Sequence, residues 1–141
     1  MLDVDHFKKI NDHFGHDAGD SVLIAIASRL KQHFHGMDVV CRFGGEEFVV
    51  LLPATSVDAA EAHANALLES ISHQALTYNG KPLGRITLSC GVATYPGHTQ
   101  DPHKLLRLAD EALYEAKHSG RNRCVVWAKS LQTQAFMLGR Q

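Results

Sequence analysis

The stretch Arg42-Phe43-Gly44-Gly45-Glu46-Glu47-Phe48 carries the densest chemistry in this sequence. Two glycines allow a tight turn and leave no side chain above it, so a ligand's ring or ribose can approach the backbone closely. Two acids follow at the exit of the turn. Strand alternation sends consecutive side chains to opposite faces, which predicts different tasks for Glu46 and Glu47. Taken alone, such a tip is ordinarily a solvated acidic turn. A second acidic stretch opens the chain: Asp3-Val4-Asp5-His6-Phe7-Lys8-Lys9-Ile10-Asn11-Asp12. Asp3 ends a strand-like run, where one or two carboxylates suffice for magnesium if substrate phosphates and waters complete the octahedron. Asp5 and Asp12 read as helix-start and surface acids, and Lys8 and Lys9 as a solvated face. The third stretch is Lys117-His118-Ser119-Gly120-Arg121-Asn122-Arg123. Cations at a helix end ordinarily complement its dipole. Set against a triphosphate, Lys117 and Arg121 would instead clamp its oxygens.

These residues need elements to hold them. Residues 1–4 read as the end of a strand and 5–14 as a short, partly helical turn. Residues 15–20 have turn chemistry with a helix N-cap. Val22, Ile26, Leu30 and Phe34 recur every fourth residue, predicting an amphipathic helix over 17–35 that Gly36 closes in a left-handed cap. Residues 38–43 and 47–52 read as strands joined at Gly44-Gly45, with Cys41 as a small buried hydrophobe. Thr55 or Ser56 caps a second helix through Ile71, with Ala60, Ala64, Leu67 and Leu68 inward. Asn79-Gly80 predicts a hairpin between 75–78 and 85–95, the latter strand interrupted at Gly91. Asp101-Pro102 opens a third helix, with Leu105, Leu108, Ala109, Ala112, Leu113 and Ala116 inward, and Gly120 stops it. Residues 124–127 form a last strand, and 129–141 a tail without clear period. Hairpins mixed with helical crossovers predict an α/β (α+β) layer fold with a mixed, largely antiparallel central sheet flanked by helices.

The 141 residues fit one domain, and 14 basic against 15 acidic residues leave a net charge of −1. That balance removes the case for a nucleic-acid binder acting through bulk charge. No run approaches the ~20 apolar residues of a membrane span. The start carries two acids and no apolar signal region. Three widely spaced cysteines without a CxxC argue against a zinc knuckle and for free thiols in a reducing cytosol. Most of the ten histidines read as surface.

In this order the three stretches resemble the GGDEF family of diguanylate cyclases, in its GGEEF form. The resemblance runs over nearly the whole chain. It also includes Gly15-His16, Gly19-Asp20, Leu51-Leu52-Pro53, Ser89-Cys90-Gly91-Val92-Ala93, Ala109-Asp110, Ala112-Leu113-Tyr114 and Ala116-Lys117. It implies a fold like the palm of polymerases and nucleotidyl cyclases. It implies condensation of two GTP into cyclic di-GMP and pyrophosphate, by attack of a ribose 3′-hydroxyl on an α-phosphorus.

Carried over residue by residue, the resemblance makes Asp3, the Val4 carbonyl and Glu46 ligands of magnesium or manganese. Glu47 joins that site or takes the 3′-hydroxyl proton. Asn11 and Asp20 read guanine; a carboxylate suits its N1–H and N2 amino donors. Lys117 and Arg121 hold the β- and γ-phosphates, Lys8 adds a further contact, and Gly44 and Gly45 leave room for the nucleotide. Phe7 is core. Each domain binds one GTP, so the partner is a second copy of this domain, brought together by an upstream sensor or receiver module. A cytoplasmic location is expected, with membrane anchoring of a parent protein left open.

Two departures stand out. Family members often carry an inhibitory product-binding RxxD, but here His35 stands at the Arg position before Asp38, which implies weak product inhibition. The family's elements ahead of residue 1, with a DxLTGLxNRR-like motif, have no counterpart in these residues. The alternative function is a non-catalytic domain that binds GTP or cyclic di-GMP.

Overall fold

The computed structural model describes residues 1–129 and 131. Its centre is a strand of three residues, β1 (Leu2–Val4), buried throughout. α1 (Phe7–Phe14) and α2 (His16–His33) follow, then the hairpin β2 (Val39–Arg42) and β3 (Glu47–Leu51). α3 (Val57–Ser72), the small pair β4 (Thr77–Tyr78) and β5 (Lys81–Pro82), and β6 (Leu88–Val92) come next. α4 (Leu105–His118) and β7 (Cys124–Val126) complete the order. The five-stranded sheet runs β2-β3-β1-β6-β7. Only β6 and β7 pair in parallel; the other main-sheet pairs are antiparallel. The mixed, largely antiparallel sheet with flanking helices is as the sequence predicts.

Alternation along the strands sorts the two faces. Leu2, Val4, Phe48, Leu88 and Cys90 join one core with α1, α2 and α3, built on Ile10, Val22, Ile26, Leu30, Leu67 and Ile71. The intervening residues meet α4, where Met1 and Val49 pack with Ala109 and Leu113. Asp3 and Asp5 share that second face with Met1. α4 lies so close to β6 that a Cβ on Gly91 would overlap the Ala109 carbonyl oxygen and the Leu113 amide nitrogen. Gly91 therefore sits inside an unbroken strand; it seats a helix rather than interrupting the strand.

Several local expectations need correction. Of residues 15–20 only Gly15 is non-helical, with φ 94° and the N-cap position of α2. Gly19 is a buried helical residue pressed against Asn11. Gly36 is left-handed (φ 69°) but lies beyond the extended C-cap at Phe34. Cys41 is exposed because β2 is an edge strand; Cys90 on inner β6 is buried. The Asn79-Gly80 turn closes on Lys81–Pro82, and Leu88–Val92 pairs instead with β1 and β7. Ser56 caps α3 as expected, its hydroxyl accepting from the Ala59 amide at 3.2 Å. His33 and His98 are half-buried and the other histidines exposed. The segment 129–141 lies almost wholly outside the described residues.

An apolar hollow of about 780 Å³ is lined from both sides of the sheet, by Met1, Val49 and Leu106 towards α4 and by Phe34, Ala64 and Leu67 towards α2 and α3. It contains none of Asp3, Glu46, Glu47 or Lys117, so this apolar hollow and the densest chemistry are separate places.

Candidate active site

Register decides which carboxylates meet. Asp3 and Glu47 are direct partners across β1 and β3, so their side chains leave the same face. Glu46 lies in the turn just before β3, where alternation does not yet govern it. The Val4 amide donates to the Glu46 carbonyl at 3.2 Å, fixing that turn beside β1. Both glutamates thus reach Asp3, contrary to the expectation that they diverge. Burial first, then the contact with Asp3 and its charge, push Glu46 up to about 7, against an opposing pull from Lys117. Glu47 is also raised, by burial first and then by Asp3, again against Lys117. Asp110 on α4 adds a smaller push on Glu47. That contribution is invisible in the sequence until α4 is seated on the sheet.

Lys117 comes from the last turn of α4 and answers this clustering. Its Nζ lies 2.8 Å from Asp3 Oδ2, with the aspartate side chain only 4% exposed. A buried carboxylate without such a partner is costly. The ammonium therefore serves here as counter-charge to the carboxylates, which its place at a helix end alone does not reveal.

The glycine turn is braced from one side. Arg42 Nε donates to the Gly44 carbonyl at 3.1 Å and Nη2 to the Gly45 carbonyl at 2.7 Å. The amides of Phe43 and Gly44 both donate to the Glu47 carbonyl, at 2.8 and 3.3 Å. Neither glycine has a positive φ, so left-handed backbone is not why they are glycines. A Cβ on Gly45 would point into open space, and one on Gly44 would touch Glu47 Oε2 at 3.5 Å. What the pair supplies is bare backbone beside the carboxylates.

Asp5 overturns its expected place at the surface. It is 5% exposed, and its carboxylate accepts from Thr87 Oγ1 (2.7 Å), Ser89 Oγ (2.6 Å) and the Asn122 amide (3.0 Å). The ladder between β1 and β6 continues past Val4, because the Asp5 amide donates to the Thr87 carbonyl at 2.9 Å. Alternation from Asp3 puts Asp5 on the α4 face once the strand pairing extends one residue beyond Val4. Asp12 is exposed, as expected.

At the other end of the motif, Asn11 on α1 is held against Gly19 of α2, and its Oδ1 is buried without a hydrogen-bond partner. Asp20 follows Gly19 and is exposed. The two residues expected to read guanine thus share the α1–α2 corner. Phe7 packs against the core and also approaches Gly19. Arg121 is exposed in the turn after α4, its Nη1 donating to the Lys117 carbonyl at 3.5 Å. Lys8 is exposed on α1 and joins none of these groups by an ion pair.

The donor set suits a hard divalent cation: Asp3, Glu46, Glu47 and the Val4 carbonyl offer oxygen only, and no soft ligand intrudes. Among the described residues no three acidic, His or Cys side chains are gathered into a ready cage. Magnesium ordinarily takes few protein ligands and relies on substrate phosphates and waters.

Compared with known families, residues 1–123 match the family described as diguanylate cyclase, GGDEF domain. The chain belongs to that family. It is 46% identical over 126 residues to diguanylate cyclase DgcP of Pseudomonas aeruginosa, covering 89% of this chain and 18% of that protein. It is 44% identical over 126 residues to the response regulator PleD of Caulobacter vibrioides, covering 89% of this chain and 28% of that one. The GGDEF domain of DgcB from Caulobacter crescentus, solved with c-di-GMP, superposes with a TM-score of 0.82 at 34% identity, over 89% of this chain and 74% of that one. The active GGEEF domain of a Vibrio cholerae diguanylate cyclase gives a TM-score of 0.80 at 34% identity, over 91% and 80% of the two chains. The architecture is therefore the palm-like fold of these cyclase domains. The chain spans between 18% and 35% of the lengths of the curated relatives it matches. This GGDEF domain is thus a fraction of what its relatives contain.

Proposed function

We propose that this GGDEF domain is the catalytic domain of a diguanylate cyclase. Two copies condense two GTP into cyclic di-GMP. At each of two steps a ribose 3′-oxygen forms a bond to an α-phosphorus, the bond from that phosphorus to pyrophosphate breaks, and the 3′-hydroxyl loses its proton. The observation that carries this reading is the convergence of Asp3, Glu46 and Glu47 with Lys117 beside the bare Gly44-Gly45 backbone.

Asp3, the Val4 carbonyl, Glu46 and Glu47 are the groups to hold magnesium or manganese, which when bound supplies charge neutralisation to the triphosphate. Lys117, already facing this cluster, and Arg121 bind β- and γ-phosphate oxygens. Lys8 stands further out and offers an outer phosphate contact. Glu47, its proton affinity raised by burial and Asp3, serves either as an oxygen ligand or as acceptor of the 3′-hydroxyl proton. Asn11 offers its unpartnered Oδ1 and Asp20 its carboxylate to the guanine edge, which presents two neighbouring donors where adenine does not. One such site holds one GTP, so the nucleophile and the α-phosphate it attacks come from two facing domains. The partner is a second copy, and an upstream sensor or receiver module sets how often the two meet. We place the domain in the cytoplasm, where GTP is found; no described helix is long and apolar enough to cross a membrane.

The test is incubation with GTP and Mg²⁺, following cyclic di-GMP and pyrophosphate. Product at a two-to-two ratio of GTP to pyrophosphate, lost in Glu46→Ala and Glu47→Ala, supports the reading. GTP binding without product would instead make the domain a regulatory GTP-binding module.

A further inference from the structure

Asp5 is not among the residues expected to touch GTP, yet it is one of the most heavily bonded side chains in the molecule. Its two oxygens accept three hydrogen bonds of 2.6–3.0 Å while 5% exposed. Two of the donors, Thr87 and Ser89, lie on β6 and belong to the sheet. The third does not: it is the backbone amide of Asn122, 117 residues away, in the turn that carries Arg121.

That turn is strained. Gly120, Arg121 and Asn122 have φ of 128°, 62° and 46° in succession. Glycine takes such values freely and asparagine tolerates them, but arginine does so only when its surroundings impose it. Two backbone–backbone hydrogen bonds and one from a backbone amide to a side chain hold the turn. The Arg121 amide donates to the Ala116 carbonyl at 2.9 Å, ending α4. The Cys90 amide donates to the Arg123 carbonyl at 2.9 Å, starting β7. Between them the Asn122 amide is fixed by Asp5 alone. The side-chain bonds near Arg121 are local: Arg121 Nη1 donates to the Lys117 carbonyl, and Arg123 Nε donates to the Arg121 carbonyl. They do not tie the turn to the sheet.

We infer that Asp5 is a positioning residue for triphosphate binding: by anchoring the Asn122 amide to β1 it holds the left-handed turn that aims Arg121 at the β- and γ-phosphates. This rests on the GTP-site reading above. Asp3 does the matching work one turn earlier, by meeting Lys117. The two acids of the Asp3-Val4-Asp5 motif, two residues apart on one strand face, thus set both phosphate-binding cations. Asp5 acts through the backbone and touches no substrate.

The experiment compares wild type, Asp5→Ala and Asp5→Asn by calorimetric titration with magnesium tripolyphosphate, and separately with GMP as probe of the guanine corner. Removing a charge-assisted anchor predicts tripolyphosphate binding weakened about tenfold or more in Asp5→Ala, with GMP binding unchanged. Asn keeps an acceptor for the Asn122 amide, and the Ser89 hydroxyl can rotate to accept from its NH₂. Asp5→Asn should therefore stay within about threefold of wild type. Equal loss for both ligands in Asp5→Ala, or no loss for tripolyphosphate, overturns the proposal. Should Asp5→Ala not fold, hydrogen exchange on the wild-type protein decides. An Asn122 amide that is protected, and loses protection in Ser89→Ala more than its neighbours do, supports the anchor; free exchange at Asn122 overturns it. Wild-type protein that binds neither GTP nor tripolyphosphate, with Asn122 still protected, refutes the GTP-site reading and leaves the anchor standing as structure only.

Discussion

Replacing Gly91 by alanine tests how the site is assembled without touching a group that meets substrate. The added Cβ would overlap the Ala109 carbonyl oxygen and the Leu113 amide nitrogen and come within 2.9 Å of the Ala112 carbonyl carbon. All three are backbone atoms of α4, so no rotamer change relieves the clash. Either β6 or the helix must move by about 1 Å to restore ordinary contact. α4 is fixed by Leu108, Ala109, Ala112, Leu113 and Ala116, all buried. A gap of that size forfeits a quarter to a half of each dispersion contact along the seam. Overpacking usually costs about 1–3 kcal/mol. With backbone on the receiving side we expect the upper end or beyond, about 3–5 kcal/mol, a large share of a domain's stability of about 5–15 kcal/mol. At a urea m-value of about 2 kcal/mol/M the midpoint should fall by about 2 M. The same movement carries Lys117 away from Asp3, so tripolyphosphate affinity should fall even where the variant is still folded. A midpoint within about 0.5 M of wild type would refute the argument, since it would show that α4 is not seated on Gly91.

Other outcomes follow from the same geometry. Gly19→Ala should weaken GTP binding by between about tenfold and a hundredfold in a KM or equilibrium titration, because its Cβ would displace the Asn11 side chain at the guanine corner. Unchanged affinity would remove Asn11 from the site. Lys117→Ala should lower stability as well as GTP binding, since it leaves Asp3 buried beside Glu46 and Glu47 without its counter-charge; urea melts at neutral pH check this, and Lys117→Met with wild-type stability would count against it. Acidification should destabilise the fold through His98, whose Nδ1 accepts from the Thr94 amide at 3.0 Å and whose pKa burial lowers below 6.5. As pH falls through 6.5 the unfolded chain gains a proton that the folded chain resists, so stability declines. His98→Asn, which keeps an acceptor but does not titrate, should flatten that slope between pH 7.5 and about 5.5; identical slopes refute the assignment. Cyclic di-GMP should inhibit weakly through the His35–Asp38 position, and tight inhibition abolished by Asp38→Ala would contradict this.

Helices with sustained fourfold repeats were legible, as was the acidic turn, because each is written locally. α2, α3 and α4 appear close to their expected spans, while the approach of both Glu46 and Glu47 to Asp3 runs against the alternation read from the sequence. What was not legible depends on which strand neighbours which. Leu88–Val92 pairs with β1, not with the segment before Asn79-Gly80, and no turn signal records that. Cys41 looks like Cys90 in sequence; an edge strand exposes one and an inner strand buries the other. Gly44 and Gly45 suggest a conformational need, while their backbone shows none, since neither has a positive φ.

The same dependence explains why Asp3 and Asp5 differ in what their sequence context reveals. Asp3 on β1 and Asp5 just past its end face the same side, Asp3 meeting the last turn of α4 and Asp5 the turn that follows it. Asp3 meets a side chain, Lys117, which a charge count can anticipate. Asp5 meets a backbone amide, and a backbone amide has no residue type to read. The contact depends on β6 lying beside β1, which brings Thr87 and Ser89, and on β7 lying beside β6, which brings Asn122 back to the same end of the sheet. The parallel β6–β7 pairing is the step that closes this circuit. It returns the chain after α4 to the strand end where Asp3 and Asp5 stand. On the proposed reading, this ties the aim of Arg121 to the order of the sheet, so substitutions at Ser89 or Thr87, which bond Asp5, should act on the same function as the arginine.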